Sequence, residues 1–319
     1  MTDYLVRALD ARLVVRYNGG AQAGHTVVSP DGRKHTFSQF GAGSLVPGVR
    51  THLSRFMVVH PGGLLREAEI LGCGLSGVSV SPEALVTTPF HVAANRLREQ
   101  RRGEERHGSC GLGVGETVAD SLAFPEDAIR FKDLRSPAVL RRRLLRVQSR
   151  KWSELGPDEV LESRDAAEEW ISLVGSMDVR LAEDCFEETV VFEGAQGVLL
   201  DEWRGFHPYT TWSTCTFDNA LELLSDYGGE VVKLGVLRSY ATRHGAGPFP
   251  TEDSSLQLQE PDNVYGPWQG AFRLGWADAV LARYALACCG GVDGLALTHL
   301  DRVGQGWRFC SGYSGGELA

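Results

Sequence analysis

The chain has 319 residues, 43% hydrophobic and 23% charged, long enough for one large domain or two ordinary ones and ordinary for a soluble globular protein. Its net charge of −9 lacks the basic footprint of a dedicated nucleic-acid binder. No window approaches the roughly 18 uninterrupted apolar residues of a membrane span. The opening MTDYLVRALDARL has charges inside its apolar run and no small-residue cleavage site, so no signal peptide is expected.

In chain order, residues 13–17 read as a short apolar strand and 55–59 as another, followed by a turn at Pro61-Gly62-Gly63. Residues 89–101 read as a helix. Residues 136–152 read as a second helix, with Ser136 as N-cap and Pro137 at the first helical position. Its basic run, RRRLLRVQSRK, reads as the solvated face opposite a stripe of Val139, Leu140, Leu144, Leu145 and Val147. Residues 163–177 read as a third helix, with Ser163 and Asp165 as cap candidates. A β-branched strand at 189–192 runs into EGAQG, and a longer one at 231–240 ends before RHGAGPFP. Residues 276–289 read as a helix closed by Gly290-Gly291, and 295–298 as a strand running into HLD. The seven cysteines form no CxxC pair, and adjacent Cys288 and Cys289 suit neither zinc nor an ordinary disulfide. They are expected to be reduced, mostly buried thiols of a cytoplasmic protein.

Strand, glycine-rich loop and helix in alternation predict an α/β fold, a mostly parallel central sheet flanked by helices. One domain over 1–319, with a helical insertion at about 136–185, is expected. Ligands of such sheets sit beyond the carboxyl ends of the strands, where RYNGGAQAGHT, VVFEGAQG, TRHGAGPFP and LTHLD all fall. Glycine there lets backbone N–H groups approach a phosphate. HGSCGLGVGE, with Ser109 and Cys110, is another such loop, without the spacing of a Walker P-loop. His25 could give a proton to a phosphoryl oxygen, or be a hydrogen-bonded structural histidine. Gln196 could read a purine edge or stabilise its loop. Thr211 could hold a phosphate or ribose oxygen or serve a turn.

Together these stretches resemble the adenylosuccinate synthetase family. RYNGGAQAGHT is similar to that family's VVRYxGGxNAGHT, PGGLLREAEILGCG to PSGILRE…GNG, and HGSCGLGVGE to GTTGRGIGP. FEGAQGVLLDEWRGFHPYTTWST is similar to FEGAQGxLLDIDxGTYPYVTSS. RSYATRHGAGPFPTE, GWADAVLARYA and LALTHLD match YxTRVGxGPFPTE, GWLDxVAxRYA and LTKLD in the same order. The resemblance implies transfer of a phosphoryl group from GTP to O6 of IMP, then displacement of phosphate by the amine of L-aspartate. Mg²⁺, a carboxylate base and a histidine acid go with that chemistry, as does a homodimer.

Carried over by position, His25 matches the histidine acid, Gln196 and Thr211 the purine nucleotide pocket, and Asp301 the carboxylate that reads guanine. Gly24 and Thr26 go with the nucleotide-binding segment of His25. Substrate-site positions that depart from the family are Gln22 for the Asn of NAGHT, Ser109 and Cys110 for paired threonines, and His244 for the valine of TRVG. The aspartate loop TTGRxRR reads PWQGAFRLG here, leaving Arg273 as its only arginine. Leu112 replaces the arginine of GTTGRG, His299 the lysine of TKLD, and Asp127 an arginine that reaches the partner's nucleotide. The resemblance places Met1 near the end of the family's GDEGKGK motif, so the base, phosphate lysine and magnesium ligand of that motif have no counterpart in the sequence given, and the metal ligands stay unassigned. Weak ordinary activity is therefore expected. The readings are a divergent ligase on a purine nucleotide, an inactive nucleotide-binding regulatory homologue or partner of a complete synthetase, and a purely structural dimer partner.

Overall fold

The computed structural model describes residues 1–163, 165–186, 188–263, 265–304 and 306–314, and the backbone of 317–318. Its first half contains α1 (Thr2–Ala8), β1 (Leu13–Arg16), β2 (His25–Val28), β3 (Lys34–Phe37), β4 (Arg50–Leu53), β5 (Val58–Val59) and α2 (Pro61–Leu71). There follow β6 (Val78–Val80), β7 (Leu85–Val86), α3 (Pro89–Arg102), α4 (Val114–Ala123), α5 (Pro137–Leu155), α6 (Glu159–Glu162) and α7 (Ala166–Gly175). The remainder includes β8 (Arg180–Leu181), β9 (Val190–Glu193), α8 (Asp218–Leu223), β10 (Leu234–Arg238), β11 (Tyr240–His244), β12 (Phe272–Asp278), α9 (Ala279–Cys288) and β13 (Gly294–Thr298).

Five strands form an all-parallel sheet in the order β8-β6-β4-β1-β9. Every residue of β1 is buried, as expected of a parallel strand covered on both faces. In register, Arg16 lies beside Leu53 on one side and Glu193 on the other. The loops leaving β1 and β9 therefore start side by side, and this builds the site. The main core lies between the sheet and helices α2, α3, α5 and α7, with Leu53, Val80, Leu64, Phe90, Leu144 and Trp170 in one apolar cluster. Outside this sheet, β10 pairs in parallel with β13 and β11 pairs antiparallel with β12. The α/β architecture with a mostly parallel sheet is thus present.

Several local expectations change. Residues 55–59 are mostly a turn, with only β5 extended; the strand beside β1 is β4, which a polar sequence, RTHL, concealed. Pro61-Gly62-Gly63 is not a turn but the first turn of α2, capped by His60 Nδ1, which accepts from Gly63 N at 2.9 Å. The stretch 231–240 is broken at Ser239 into strands of two different sheets. Trp276 lies in β12, and the helix begins after Asp278, whose carboxylate accepts from the N–H groups of Val280 and Leu281. Ser136 makes no side-chain cap; Ser163 caps through Ala166 N, and Asp165 does not. The cysteines are free, but Cys73 and Cys185 are exposed and only Cys310 is fully buried, so the expectation of mostly buried thiols is wrong.

The basic run on α5 is not simply solvated. Its buried stripe is Leu140, Leu144, Val147, Lys151 and Leu155, while Leu145 is exposed. Lys151 Nζ lies 2.9 Å from Glu116 and 2.6 Å from Asp120, both on α4. Arg146 and Arg150 bind Asp127, at 2.8 and 3.2 Å. The helix is fixed by charges it meets in the next layer, and Asp127 is engaged inside this chain.

Candidate active site

Asn18 is the keystone of three loops. Its Nδ2 donates to Ala195 O and Thr214 O, both at 2.9 Å, and its Oδ1 accepts from Ala195 N at 2.8 Å. The RYNGG, EGAQG and TTWST segments are thereby clamped together, and Ser213 Oγ accepts from Gly19 N at 2.9 Å. Gly19 has φ +75°, and a Cβ there would stand 2.8 Å from Gln196 Oε1. Only glycine combines that backbone with that close approach. Gln196 itself has φ +63°, a strained backbone for a side chain and a mark of a functional loop.

Gln22 lies above Gly20, where a Cβ would be 3.0 Å from Gln22 Oε1 and 3.1 Å from Val114, the first residue of α4. Trp212 reaches the same helix start: a Cβ on Gly115 would meet its ring at 2.9 Å. Thr211, next to Trp212, donates its N–H to Leu200 O. The Gln22 amide oxygen and nitrogen and the Gln196 amide oxygen are buried without a hydrogen-bond partner among the described residues.

His25 opens β2. Its Nδ1 is 2.7 Å from Oε1 of Glu193, the last residue of β9. Glu193 is buried; its Oε2 accepts from Ala42 N at 2.8 Å and lies 4.0 Å from Arg16 Nε. Burial opposes ionisation of this carboxyl, but His25, Arg16 and the Ala42 N–H outweigh it and hold it below the usual glutamate range. An ionised carboxylate only accepts, so Nδ1 carries the proton and Nε2 is left for other work. Arg16 is fully buried and held by Ser38 O and Phe40 O, at 3.0 and 3.1 Å. Glu67 of α2 accepts from the N–H groups of Ser38 and Gln39, both at 2.8 Å, fixing that turn. Support for His25 thus runs back through Glu193, Arg16 and the 38–40 turn to a helix.

The loop at 108–113 is bracketed by α3. Asn95 Nδ2 donates to Ser109 Oγ at 2.9 Å, Asn95 Oδ1 accepts from Gly113 N at 3.1 Å, and Glu99 accepts from Gly108 N at 3.2 Å. Burial raises the Cys110 thiol above its ordinary value, so Cys110 is a neutral small side chain here, not a thiolate. The α4 N-terminus that follows has Gly113 at its N-cap position and no side-chain cap.

His244 and Arg273 sit on the β11–β12 ribbon, apart from the Asn18 clamp. His244 Nδ1 is 3.2 Å from Gln269 Nε2, and burial lowers its pKa below the ordinary histidine value. Arg273 donates to Glu252 through Nε at 2.8 Å and to the carbonyls of Gly245 and Gly247 through Nη1, at 2.9 and 3.0 Å. Its guanidinium staples the GAGPFPTE loop. Asp301 lies past β13, is 71% exposed and contacts Arg302 at 3.0 Å. Thr26 bonds Thr36 across the β2–β3 hairpin at 2.8 Å, and Gly24 is exposed at the hairpin's start.

Gln22, Trp212 and the Ser109–Cys110 loop thus lie at the start of α4, while Gln196 packs on Gly19 and His25 on Glu193. Asn18, Glu193, Ser213 and Asn95 were not singled out from the sequence. FEGAQG contained the signal for Glu193: an acid at the end of an apolar strand whose neighbour ends in arginine.

The sequence profile described as adenylosuccinate synthetase matches residues 1–316. The adenylosuccinate synthetase of Mycolicibacterium vanbaalenii is 35% identical over 325 residues, covering 94% of this chain and 74% of its own length. That of Mycobacterium leprae is 36% identical, over 91% of this chain and 71% of its own. Among solved structures, the fully ligated Plasmodium falciparum adenylosuccinate synthetase superposes with a TM-score of 0.79 at 22% identity, covering 100% of this chain and 79% of that one. The succinoaminodeoxyadenylate synthetase of cyanophage S-2L, bound to dGMP and to dATP as an energy donor, superposes with a TM-score of 0.62 at 20% identity, covering 92% and 79%. The profile and the curated relatives together show that the chain belongs to the adenylosuccinate synthetase family.

Proposed function

We propose that this chain is a divergent carbon–nitrogen ligase acting on a purine nucleoside monophosphate such as IMP. One observation carries the reading: the Gln22 amide and the Gln196 amide oxygen, three residues along the chain from His25 and Glu193, are buried with no hydrogen-bond partner among the described residues. Buried polar atoms without partners cost free energy, so they mark a place for a ligand or water. An amide offers donor and acceptor together, which suits the mixed edge of a 6-oxopurine. The uncapped α4 N-terminus with Ser109 suits the 5′-phosphate.

In this mechanism O6 takes the γ-phosphoryl group of GTP as the bond to the β-phosphate breaks and GDP leaves; the purine N1 proton passes to solvent, and O6 becomes part of a good leaving group. With both ring nitrogens protonated, His25 donates through Nε2 to the transferred phosphoryl oxygens, while Nδ1–H is held by Glu193. The amine nitrogen then attacks C6: the C6–N bond forms, the C6–O6 bond breaks, inorganic phosphate departs with O6, and the amine's extra proton passes to solvent. Asp301, an exposed carboxylate that only accepts, fits the N–H donors of guanine. Magnesium in such reactions is held by one or two carboxylates together with the substrate phosphates, and its protein ligands are unassigned here. Among the described residues no three His, Cys, Asp or Glu side chains converge, and both oxygens of Glu193 are engaged. No step is therefore assigned to a metal.

Cytoplasmic location and a homodimer accompany this reading on the strength of the family. No described helix is long and apolar enough to cross a membrane. Asp127 binds Arg146 and Arg150 of its own chain, so any contact with a partner's nucleotide must use another residue. One observation favours a regulatory homologue instead: Arg273 is neutralised by Glu252 and does not stand free for an anionic second substrate. A turnover assay separates the two. With IMP, GTP, Mg²⁺ and a panel of amines, we expect phosphate release that needs monophosphate, triphosphate and amine together, and slow formation of adenylosuccinate. Monophosphate binding without phosphate release from any amine would establish the regulatory reading, and robust adenylosuccinate formation would overturn the expectation of weak ordinary activity.

A further inference from the structure

Next to the nucleotide loop is a second cavity of about 460 Å³, lined by Glu104, Arg106, Tyr265, Trp268, Gln269 and Arg273 among others. It borders Gly108, one residue before Ser109, so a molecule in it would lie beside the proposed monophosphate. Its charges are unequal in availability. Arg273 is bound on one side by Glu252 and on the other by two carbonyls. Arg106 forms no ion pair among the described residues. Its one hydrogen bond there is to Pro267 O at 3.4 Å, and its Nε is buried without a partner. Glu104, on the same cavity, also has no ion pair among the described residues.

The rest of the wall is aromatic and neutral. Gly111, with φ +68°, lies against Trp268: a Cβ there would meet the indole at 2.7 Å. The Arg96 guanidinium is 5.4 Å from the ring centroid. These contacts hold the indole as a fixed wall. Positions 271 and 272, just before Arg273, are alanine and phenylalanine and bring no charge.

From this composition we infer that the cavity receives the amine substrate, and that this substrate is an α-amino acid with one carboxylate and an uncharged side chain. Arg106 pairs with the single carboxylate, Glu104 faces the amino end, and Trp268 covers the uncharged body. A dicarboxylate such as aspartate would bring a second negative charge to a wall whose other cation is already neutralised and which carries Glu104. Like charges set against one another in a binding site disfavour the ligand that brings them together.

The inference rests on the ligase reading, and one titration series keeps the two apart. IMP is first titrated into the protein; glycine, alanine, asparagine, phenylalanine, aspartate and glutamate are then titrated into the IMP complex. We expect at least one uncharged amino acid to bind tenfold or more tighter than aspartate. Arg106→Ala should weaken that amino acid at least tenfold with IMP affinity unchanged, which also shows that the variant is folded, and Arg106→Lys should restore part of the loss. Aspartate binding more tightly than every uncharged amino acid, or an amino-acid affinity indifferent to Arg106→Ala, would overturn the inference and leave the nucleotide reading standing. Absence of IMP binding would overturn both.

Discussion

Glu193 concentrates the residue-scale argument. It is a buried carboxylate with His25 at 2.7 Å and Arg16 behind it. Glu193→Gln leaves Arg16 buried and uncompensated and should cost about 3–5 kcal/mol, the usual price of breaking a buried pair. The pH dependence has a definite sign. The folded carboxyl lies below its ordinary value, and an unfolded glutamate titrates near about 4.3. Its contribution is therefore complete above that value and drains away as pH falls through the lower folded value. Denaturant melts of wild type and Glu193→Gln should differ fully at pH 7 and converge on acidification below about 4; a difference constant with pH would contradict this. His25→Ala should lower single-turnover phosphoryl transfer by about 10²–10⁴, the usual contribution of a positioned acid.

At the scale of elements, α3 acts as a bracket for the loop at 108–113. Three of its side chains, Asn95, Arg96 and Glu99, bond that loop's backbone or Ser109. Asn95→Ala removes two of these bonds and leaves Gly113 N without its acceptor. We expect a loss of about 1–3 kcal/mol in stability and roughly tenfold in IMP affinity. Unchanged affinity would mean that the loop does not touch the nucleotide. The same elements show what the sequence could and could not convey. Residues 89–101 and 189–192 were legible because periodicity and flanking glycine or proline agree with the final packing. The strand RTHL of β4 was not, since Thr51 and His52 are buried polar groups, and His52 is satisfied only by distant partners. His52 takes Ser79 Oγ at 2.9 Å and Asp184 Oδ1 at 2.8 Å. The break at Ser239 was hidden for the same reason: its N–H donates to Thr298 O and its Oγ to His299 O, partners 59 and 60 residues away that no local pattern announces. Glycine-rich strand exits located the nucleotide loops, but the Asn18 clamp depends on three segments meeting, which spacing alone cannot show.

For the whole molecule, burial is uneven. β1 is closed on both faces, whereas β10 and β13 leave Val236, Leu295 and Leu297 about half exposed, at 53, 49 and 51%. Local opening free energy follows buried apolar contact. Amides of β10 and β13 should therefore exchange with solvent well before those of β1 and β4, in hydrogen exchange followed by mass spectrometry. Equal protection would show that the exposed face is covered in solution. Within the sheet of β1, β4, β6, β8 and β9, the Asn18 clamp leaves the end of buried β1, and Glu193, the partner of His25, closes β9, as suits a site that must hold its geometry.

The central claim is that the buried amides of Gln22 and Gln196 receive a purine monophosphate. The most direct test is calorimetric titration of IMP into the wild-type protein and into Gln196→Ala. The account predicts one IMP per chain and an affinity at least tenfold weaker in Gln196→Ala. No binding to the wild type, or equal affinity in both, would contradict it.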